Sequence, residues 1–534
     1  MKKTMKKALA ALLAAALTLS LTACGSGSDA TTAAPAGAGV ASSASGGTFG
    51  GSKGEGAAVS AKDTLNIGIN KDNGTLAPVY NSQNPGYAIY ETLYMVDYNT
   101  EEYQMMLAES AETTDSTHMT VKLKDGITDS AGNPLKASDV VYSLQYATTD
   151  TISAMYVAYI DMEATHAVDD LTVEIVLKET NVQQWYQLGD VRIFTQAAME
   201  ASSDGMVNTP VGTGPYKVTE YISGSSIKME ARDDYWGEAP AIKYVNWIVI
   251  SENSQRAIAL ESGEIDLCLD TAASDYMRFE GQEGYGTYVR HLFRNAILEF
   301  NCSEYSIMKD VKVRQAVAYA VDSNAVLSTV FNGLGEVSNG ATSNACAAFD
   351  PTWNNEYYPY NVEKAKALLT EAGIAEGTHV TIGNNGTTVN SMIAEVVQSF
   401  LLAVGLDAEI MTYDNATWSS VRQDANCGLD ICVQVYSSPD GYYAGEIWSG
   451  VFSSGTNHYE NEELYQLISE AMATVDTKKQ LELNKQINDI MVSEVPGYGL
   501  VDMSNLYVWN ASLAGVEEMA LANTRVIPNV LYFK

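Results

Sequence analysis

Apolar residues fall at every second position in several stretches of the first half of the chain. Leu65, Ile67 and Ile69 form one such run, Met119, Val121 and Leu123 another, and Leu171, Val173, Ile175 and Leu177 a third. That period predicts half-buried strands. Gly132-Asn133-Pro134 breaks the chain before Ser138-Asp139, which predicts the start of a helix carrying Val140, Val141, Leu144 and Ala147. From about residue 311 the apolar spacing lengthens to three and four. Val313, Val317, Ala320 and Val321 share one helical face, and Ile393, Val396, Val397, Phe400 and Leu401 share another that ends at Gly405. Asn361 is placed to cap a helix over Val362–Ala372, with Gly373 as its stop. Strand-like Val380–Ile382, Ala408–Met411 and Asp430–Val435 alternate with these helices, which predicts a mostly parallel sheet. Helices over Glu462–Ala473 and Lys478–Val492 and a β-like tail at Val530–Phe533 complete the pattern, and no internal repeat is visible.

The N-terminal segment fits neither period. Lys2, Lys3, Lys6 and Lys7 precede an apolar run too short to span a bilayer, the pattern of a secretion signal over residues 1–23. It closes on Leu21-Thr22-Ala23-Cys24, which resembles the lipobox of bacterial lipoproteins and implies lipidation of Cys24. Residues 24–61 are almost wholly Gly, Ser, Ala and Thr, too poor in apolar surface to fold. They read as a flexible tether spanning roughly 30–35 Å on average. Within it Gly50-Gly51-Ser52-Lys53-Gly54 matches G-x-S-x-G only formally, since a nucleophile elbow needs a strand before it and a helix after.

With 534 residues the chain has room for two to four domains. Its formal net charge of −35, more negative still without the leader lysines, argues against nucleic acid as a partner. Thirty-two tyrosines against ten phenylalanines suit wet ligand clefts, or reflect a compositional habit of the organism. Beyond Cys24 the cysteines are Cys268, Cys302, Cys346, Cys427 and Cys432, an odd number that reads as buried small hydrophobes with one disulfide possible. The five histidines are scattered singly, so no metal site and no cofactor is expected.

Several segments together carry a resemblance. Val121-Lys122-Leu123-Lys124-Asp125-Gly126 and Gly132-Asn133-Pro134 through Leu144 are followed by Gly212-Thr213-Gly214-Pro215-Tyr216, Asp234-Tyr235-Trp236-Gly237 and Ser262-Gly263-Glu264-Ile265-Asp266. Phe300-Asn301, Val313-Arg314-Gln315-Ala316, Ala320-Val321-Asp322 and Ala365–Gly373 continue the series. In this order they resemble the extracellular solute-binding proteins of family 5, which serve peptide and nickel ABC importers. The resemblance implies an α/β, two-lobed periplasmic-binding-protein-like fold of the class II (cluster C) type. Lobe I would cover 62–300 plus 491–534, with an extra subdomain inserted at about 82–195, and lobe II 301–490. Most motif residues read as structural: Gly212 and Gly214 as a tight turn, Gly237 as a turn end, Arg314 and Asp322 as local pairing or capping.

The resemblance also implies a site. In the family's peptide binders a late segment of lobe II presents an aromatic residue and then a carboxylate for the ligand's ammonium group. The matching stretch runs from Asp430 through Tyr436, Ser437 and Ser438 to Tyr442 and Tyr443, and the carboxylate position falls on Pro439. Asp440, one residue on, either reaches the site through a sharp Pro-Asp-Gly turn or is a solvated turn residue. Trp418 offers an aromatic face and Arg422 a fork for a ligand carboxylate. Asn384 and Asn385 follow a strand where open α/β sheets meet ligands, and Ser82 and Asn84 match a ligand-touching segment of lobe I. The expected function is a monomeric, lipid-anchored receptor on the extracytoplasmic face of a Gram-positive-type cell membrane, with no enzymatic chemistry. It captures an oligopeptide or dipeptide by hinge closure and delivers it to an ABC permease and ATPase complex. An oligosaccharide or a chelated metal is the alternative cargo, and a secreted hydrolase or a surface adhesin the alternative class.

Overall fold

The computed structural model describes residues 62–79, 83–97, 102–113, 115–338, 344, 357–437, 456–474, 476–521 and 528–534. The leader, the tether and Cys24 lie outside them. The described chain forms two compact units, one of 62–290 with 505–534, the other of 291–504. The chain passes between units inside two long strands, Tyr285–Phe300 and Gly497–Asn510.

In the discontinuous unit, strand Thr64–Ile69 pairs in parallel with Tyr244–Val249 on one side and Leu267–Cys268 on the other. Leu65 and Ile67 have no exposed surface, as their alternation predicts. Antiparallel strands Ser226–Ala231 and Tyr216–Ile222 extend one edge, and Val508 and Trp509 pair along the other. A second sheet orders Ala108–Thr113, His118–Leu123, Thr172–Val176 and His166–Ala167. Helix Ala137–Ala147 packs on it; Asp139 sits in its first turn and accepts from the Lys136 amide at 2.8 Å, so the cap comes from inside the helix rather than ahead of it.

The sequence motifs meet in this unit as scaffold. A Cβ at Gly212 would lie 2.2 Å from the Ile89 carbonyl oxygen, and one at Gly214 2.6 Å from that of Ala88. Only glycine permits that backbone approach. The buried Arg232 fork gathers the carbonyls of Gly212, Thr213 and Gly214 with those of Thr128 and Asp129. Arg256 does the same at the strand ends, donating to the carbonyls of Ile250, Ser251 and Asp270.

In the contiguous unit the strands run Asp407–Thr412, His379–Asn384, Ile431–Ser437 and then the end of Tyr285–Phe300. The first three are mutually parallel and the fourth is antiparallel. Ala296, Leu298, Phe300, Val433 and Val435 point into a core shared with helices Val311–Ala320 and Thr388–Ala403. Asn361 caps Val362–Glu371 by accepting from the Lys364 amide at 2.9 Å, and Gly373 and Gly405 take positive φ just past their helices. Arg314 donates to the carbonyls of Met308, Lys309, Glu494 and Val495, and Asp322 caps helix Ser323–Val330. Cys268, Cys302, Cys427 and Cys432 are free thiols.

Candidate functional site

The face of the contiguous unit's sheet opposite its core is polar. Register pairs Asn295 with Tyr436, Ile297 with Gln434 and Glu299 with Cys432, and strict alternation sends all six side chains to that side. Helix Asn415–Val421, capped by Asp414, covers part of it through Trp418, which packs on Leu429 and Cys432. The fit requires Gly383, where a Cβ would lie 2.8 Å from the Trp418 ring.

Arg422, at the end of this helix, is the hub of the face. Its Nη1 lies 3.0 Å from Glu299 Oε2, 3.1 Å from Tyr436 Oη and 3.3 Å from Thr456 Oγ1. Tyr436 Oη also donates to Glu299 Oε2 at 3.2 Å. With the Gln434 amide turned so that its oxygen faces the guanidinium, that oxygen accepts from Arg422 Nη1 at 2.7 Å and from Trp418 Nε1 at 3.0 Å. The Arg422 and Glu299 side chains are 5% and 1% exposed, so this is a buried ion pair in which each charge depends on the other. Burial raises the Tyr436 hydroxyl pKa and the Glu299 charge adds to the rise, keeping the phenol a donor. Burial also lowers the pKa of His458. Glu299 Oε1, Asn457 Nδ2 and His458 Nε2 are buried without a hydrogen-bond partner among the described residues.

Asn384 and Asn385 close the end of strand His379–Asn384, beside the Trp418 contact. Asn384 donates to Thr412 Oγ1 at 3.0 Å and accepts from the Gly386 amide at 2.8 Å, with Gly386 at φ +72. Asn385 Oδ1 accepts from Thr387 Oγ1 and Asn390 Nδ2 at the start of helix Thr388–Ala403. Of the residues singled out in the sequence, Trp418, Arg422 and Tyr436 thus form one network, and Asn384 and Asn385 form a turn next to it. Ser437 ends the strand, and nothing is described of its side chain. Ser438, Asp440, Tyr442, Tyr443 and Ser82 lie outside the described residues. Asn84 is in helix Gln83–Ile89, its side chain likewise outside them.

Glu299, Gln434 and Thr456 went unread in the sequence. A signal existed for the first: Glu299 is the one charge in Ala296-Ile297-Leu298-Glu299-Phe300, and a carboxylate inside a buried strand demands a partner.

In the discontinuous unit the strands Thr64–Ile69, Tyr244–Val249 and Leu267–Cys268 point the same way, and their C-terminal ends lead into Lys71 and Asp270. Burial lowers the Lys71 pKa while the Asp270 charge works against it. Deeper in, Glu91 accepts from Tyr235 Oη at 2.6 Å and Trp236 Nε1 at 2.9 Å, and burial pushes its carboxyl up to about 7. Tyr235-Trp236 is therefore an anchor for Glu91 within the scaffold. A cavity of about 270 Å³ on the helical side of the contiguous unit is lined by Tyr319, Tyr358 and Lys364, among others. Lys364 is held over the Tyr319 ring and Tyr358 bonds the Val492 carbonyl, so this cavity's polar groups serve the fold. Among the described residues no group of three or more His, Cys, Asp or Glu is placed to hold a metal, and no helix is long and apolar enough to cross a membrane.

The family model "Bacterial extracellular solute-binding proteins, family 5 Middle" matches residues 102–454. The chain belongs to this family. Family 5 is one of solute-binding proteins, not of enzymes. A curated relative, the dipeptide-binding protein of Escherichia coli (strain K12), is 27% identical over 351 residues. That stretch is 62% of this chain and 64% of the relative, so the chain aligns with under two thirds of the relative's length. Among solved structures, NikA from Brucella suis in complex with Fe(III)-EDTA superposes with a TM-score of 0.78 at 21% identity, over 88% of this chain and 100% of that one. DppA from Helicobacter pylori in complex with the peptide STSA gives 0.71 at 20% identity, over 88% and 98%. The mixed α/β architecture is the periplasmic-binding-protein fold of these structures.

Proposed function

We propose that this chain is the substrate-binding component of an ABC importer, tethered through lipid on Cys24 to the extracytoplasmic face of the membrane, with an oligopeptide or dipeptide as its cargo. Membership of family 5 is the observation that carries the reading, and the dipeptide-binding relative supports a peptide as cargo. The two units would close about the strands Tyr285–Phe300 and Gly497–Asn510, ligand favouring the closed form by contacts it makes only there. Asp440 would hold the peptide ammonium, with Tyr442, Tyr443, Ser437 and Ser438 around it and Ser82 and Asn84 contributing from lobe I. Asn384 and Asn385 would border the site. Arg422 and Tyr436 would support it from beneath. A chelated metal is the second reading, favoured by the superposition on NikA.

Thermal-shift measurements on the full chain separate the two. A panel of dialanine through pentaalanine, nickel–histidine and Fe(III)-EDTA is added at increasing concentration. A cargo at 100 times its Kd stabilises the protein by about 2.7 kcal/mol. Stabilisation by peptides alone supports the first reading, and stabilisation by metal chelates alone replaces it with the second. For the anchor, Asp440→Asn is expected to weaken peptide binding at least tenfold, the scale of a lost charge-assisted contact; an unchanged affinity rejects Asp440.

A further inference from the structure

The fork of Arg422 reaches two residues far apart in sequence, Tyr436 at 3.1 Å and Thr456 at 3.3 Å, from the same Nη1 that meets Glu299. The Thr456 side is fixed a second time, because Asn457 accepts from the Cys302 amide at 2.8 Å through its carbonyl and from the Tyr459 amide at 3.2 Å through its side chain. Cys302 stands two residues beyond the strand that carries Glu299. One buried carboxylate, one guanidinium and the end of one strand therefore hold Tyr436, near the end of strand Ile431–Ser437, and residues 456–457 in a fixed relation.

We propose that the Glu299–Arg422 pair is a positioning device that fixes Tyr436 and Thr456 relative to each other, and thereby sets ligand affinity and selectivity without touching ligand. This rests on the solute-binding reading above. Arg422 is unsuited to binding a ligand carboxylate, since its fork is already met by Glu299, Tyr436, Thr456 and Gln434, and a second carboxylate beside Glu299 would be repelled. It suits positioning for the same reason. A planar fork joins several acceptors in one geometry, which a lysine ammonium on a flexible stem does not.

Hydrogen exchange and calorimetry on the full chain test this with Arg422→Lys and Glu299→Gln, trialanine and pentaalanine being the probes. Arg422→Lys is expected to speed exchange at 431–437 and 456–461 by about fivefold or more while leaving strand His379–Asn384 unchanged. It should also weaken trialanine binding about tenfold and alter the trialanine-to-pentaalanine affinity ratio, which a purely structural role would leave alone. Glu299→Gln leaves the buried guanidinium without its counter-charge and should speed exchange at the same two flanks and weaken trialanine binding, in the same direction as Arg422→Lys. If Arg422→Lys also loosens strand His379–Asn384, the neutral pair Glu299→Gln/Arg422→Gln, which buries no charge, decides by the same exchange pattern. Unchanged exchange at the two flanks overturns the proposal, and so does lost affinity with unchanged exchange, which would make Arg422 a direct contact. If the wild type binds neither peptide, the peptide reading falls, while the exchange pattern still decides the positioning role.

Discussion

Asp502 is a carboxyl with no charged partner among the described residues. Ser338 Oγ donates to it at 2.7 Å, the Asn344 amide at 2.6 Å, and the Asn295 side chain also donates. Burial pushes its pKa up to about 7, and the nearby Glu336 charge adds to the rise. Glu91 reaches about 7 by burial as well. Both are raised above their unfolded values, so between about pH 4 and 7 the folded protein holds protons that the unfolded chain has released. Their stabilisation is therefore full at acid pH and fades as pH rises to about 7, each group giving a slope of about 1.4 kcal/mol per pH unit. Asp502→Asn should flatten this dependence, raising the urea midpoint at pH 8 relative to wild type more than at pH 5. A midpoint difference equal at both pH values would show that Asp502 does not titrate in this window. Legibility at this scale was uneven, for a physical reason. Trp418, Arg422 and Tyr436 were visible as residue types suited to a site, but that Arg422 is paired inward follows only from Glu299, more than a hundred residues away, facing it across a strand register.

Elements were more legible than residues because caps and periods are local. Asn361, Gly373 and Gly405 do what their positions predict, and the apolar stripes Val313/Val317/Ala320 and Ile393/Val397/Leu401 are buried. Close approaches between elements were not legible, since a glycine in a strand says nothing of what lies above it. Gly383 is such a case: an added methyl would meet the Trp418 ring and the Leu429 side chain, both at 2.8 Å. Gly383→Ala should therefore lift helix Asn415–Val421 from the sheet, costing about 1–3 kcal/mol by denaturant unfolding and changing Trp418 fluorescence. Gly214→Ala meets backbone instead, the Ala88 carbonyl oxygen at 2.6 Å, and should cost more than Gly383→Ala. The reverse order would mean that the Gly212–Tyr216 turn yields more easily than a side-chain layer.

At the scale of the molecule, the motif series pointed to the family because its members are spread along the chain in fixed order, and the structure explains the spread: Gly212, Gly214, Tyr235 and Trp236 are tied to residues 88–91 and 128–129 by the fold itself. Where the chain changes unit was harder to read. The change falls inside strands of 16 and 14 residues, at 290/291 and 504/505, and an alternating pattern does not mark where a strand exchanges partners. If the anchor at Cys24 is part of uptake, Cys24→Ala should release intact, ligand-competent protein into the medium while cellular uptake falls. Retention on the cell with unchanged uptake would reject the anchor. The discontinuous unit carries one more consequence. Tyr507, Trp509, Leu513, Val516, Leu531 and Phe533 belong to the same apolar core as Leu65, Ile67 and Trp247. Chain emerging from a ribosome or a translocation pore therefore exposes residues 62–290 for the whole time that the next two hundred residues are delivered. That unit can finish folding only when residues 505–534 arrive, so a frameshift just ahead of residue 505 would injure the half of the protein that was made first.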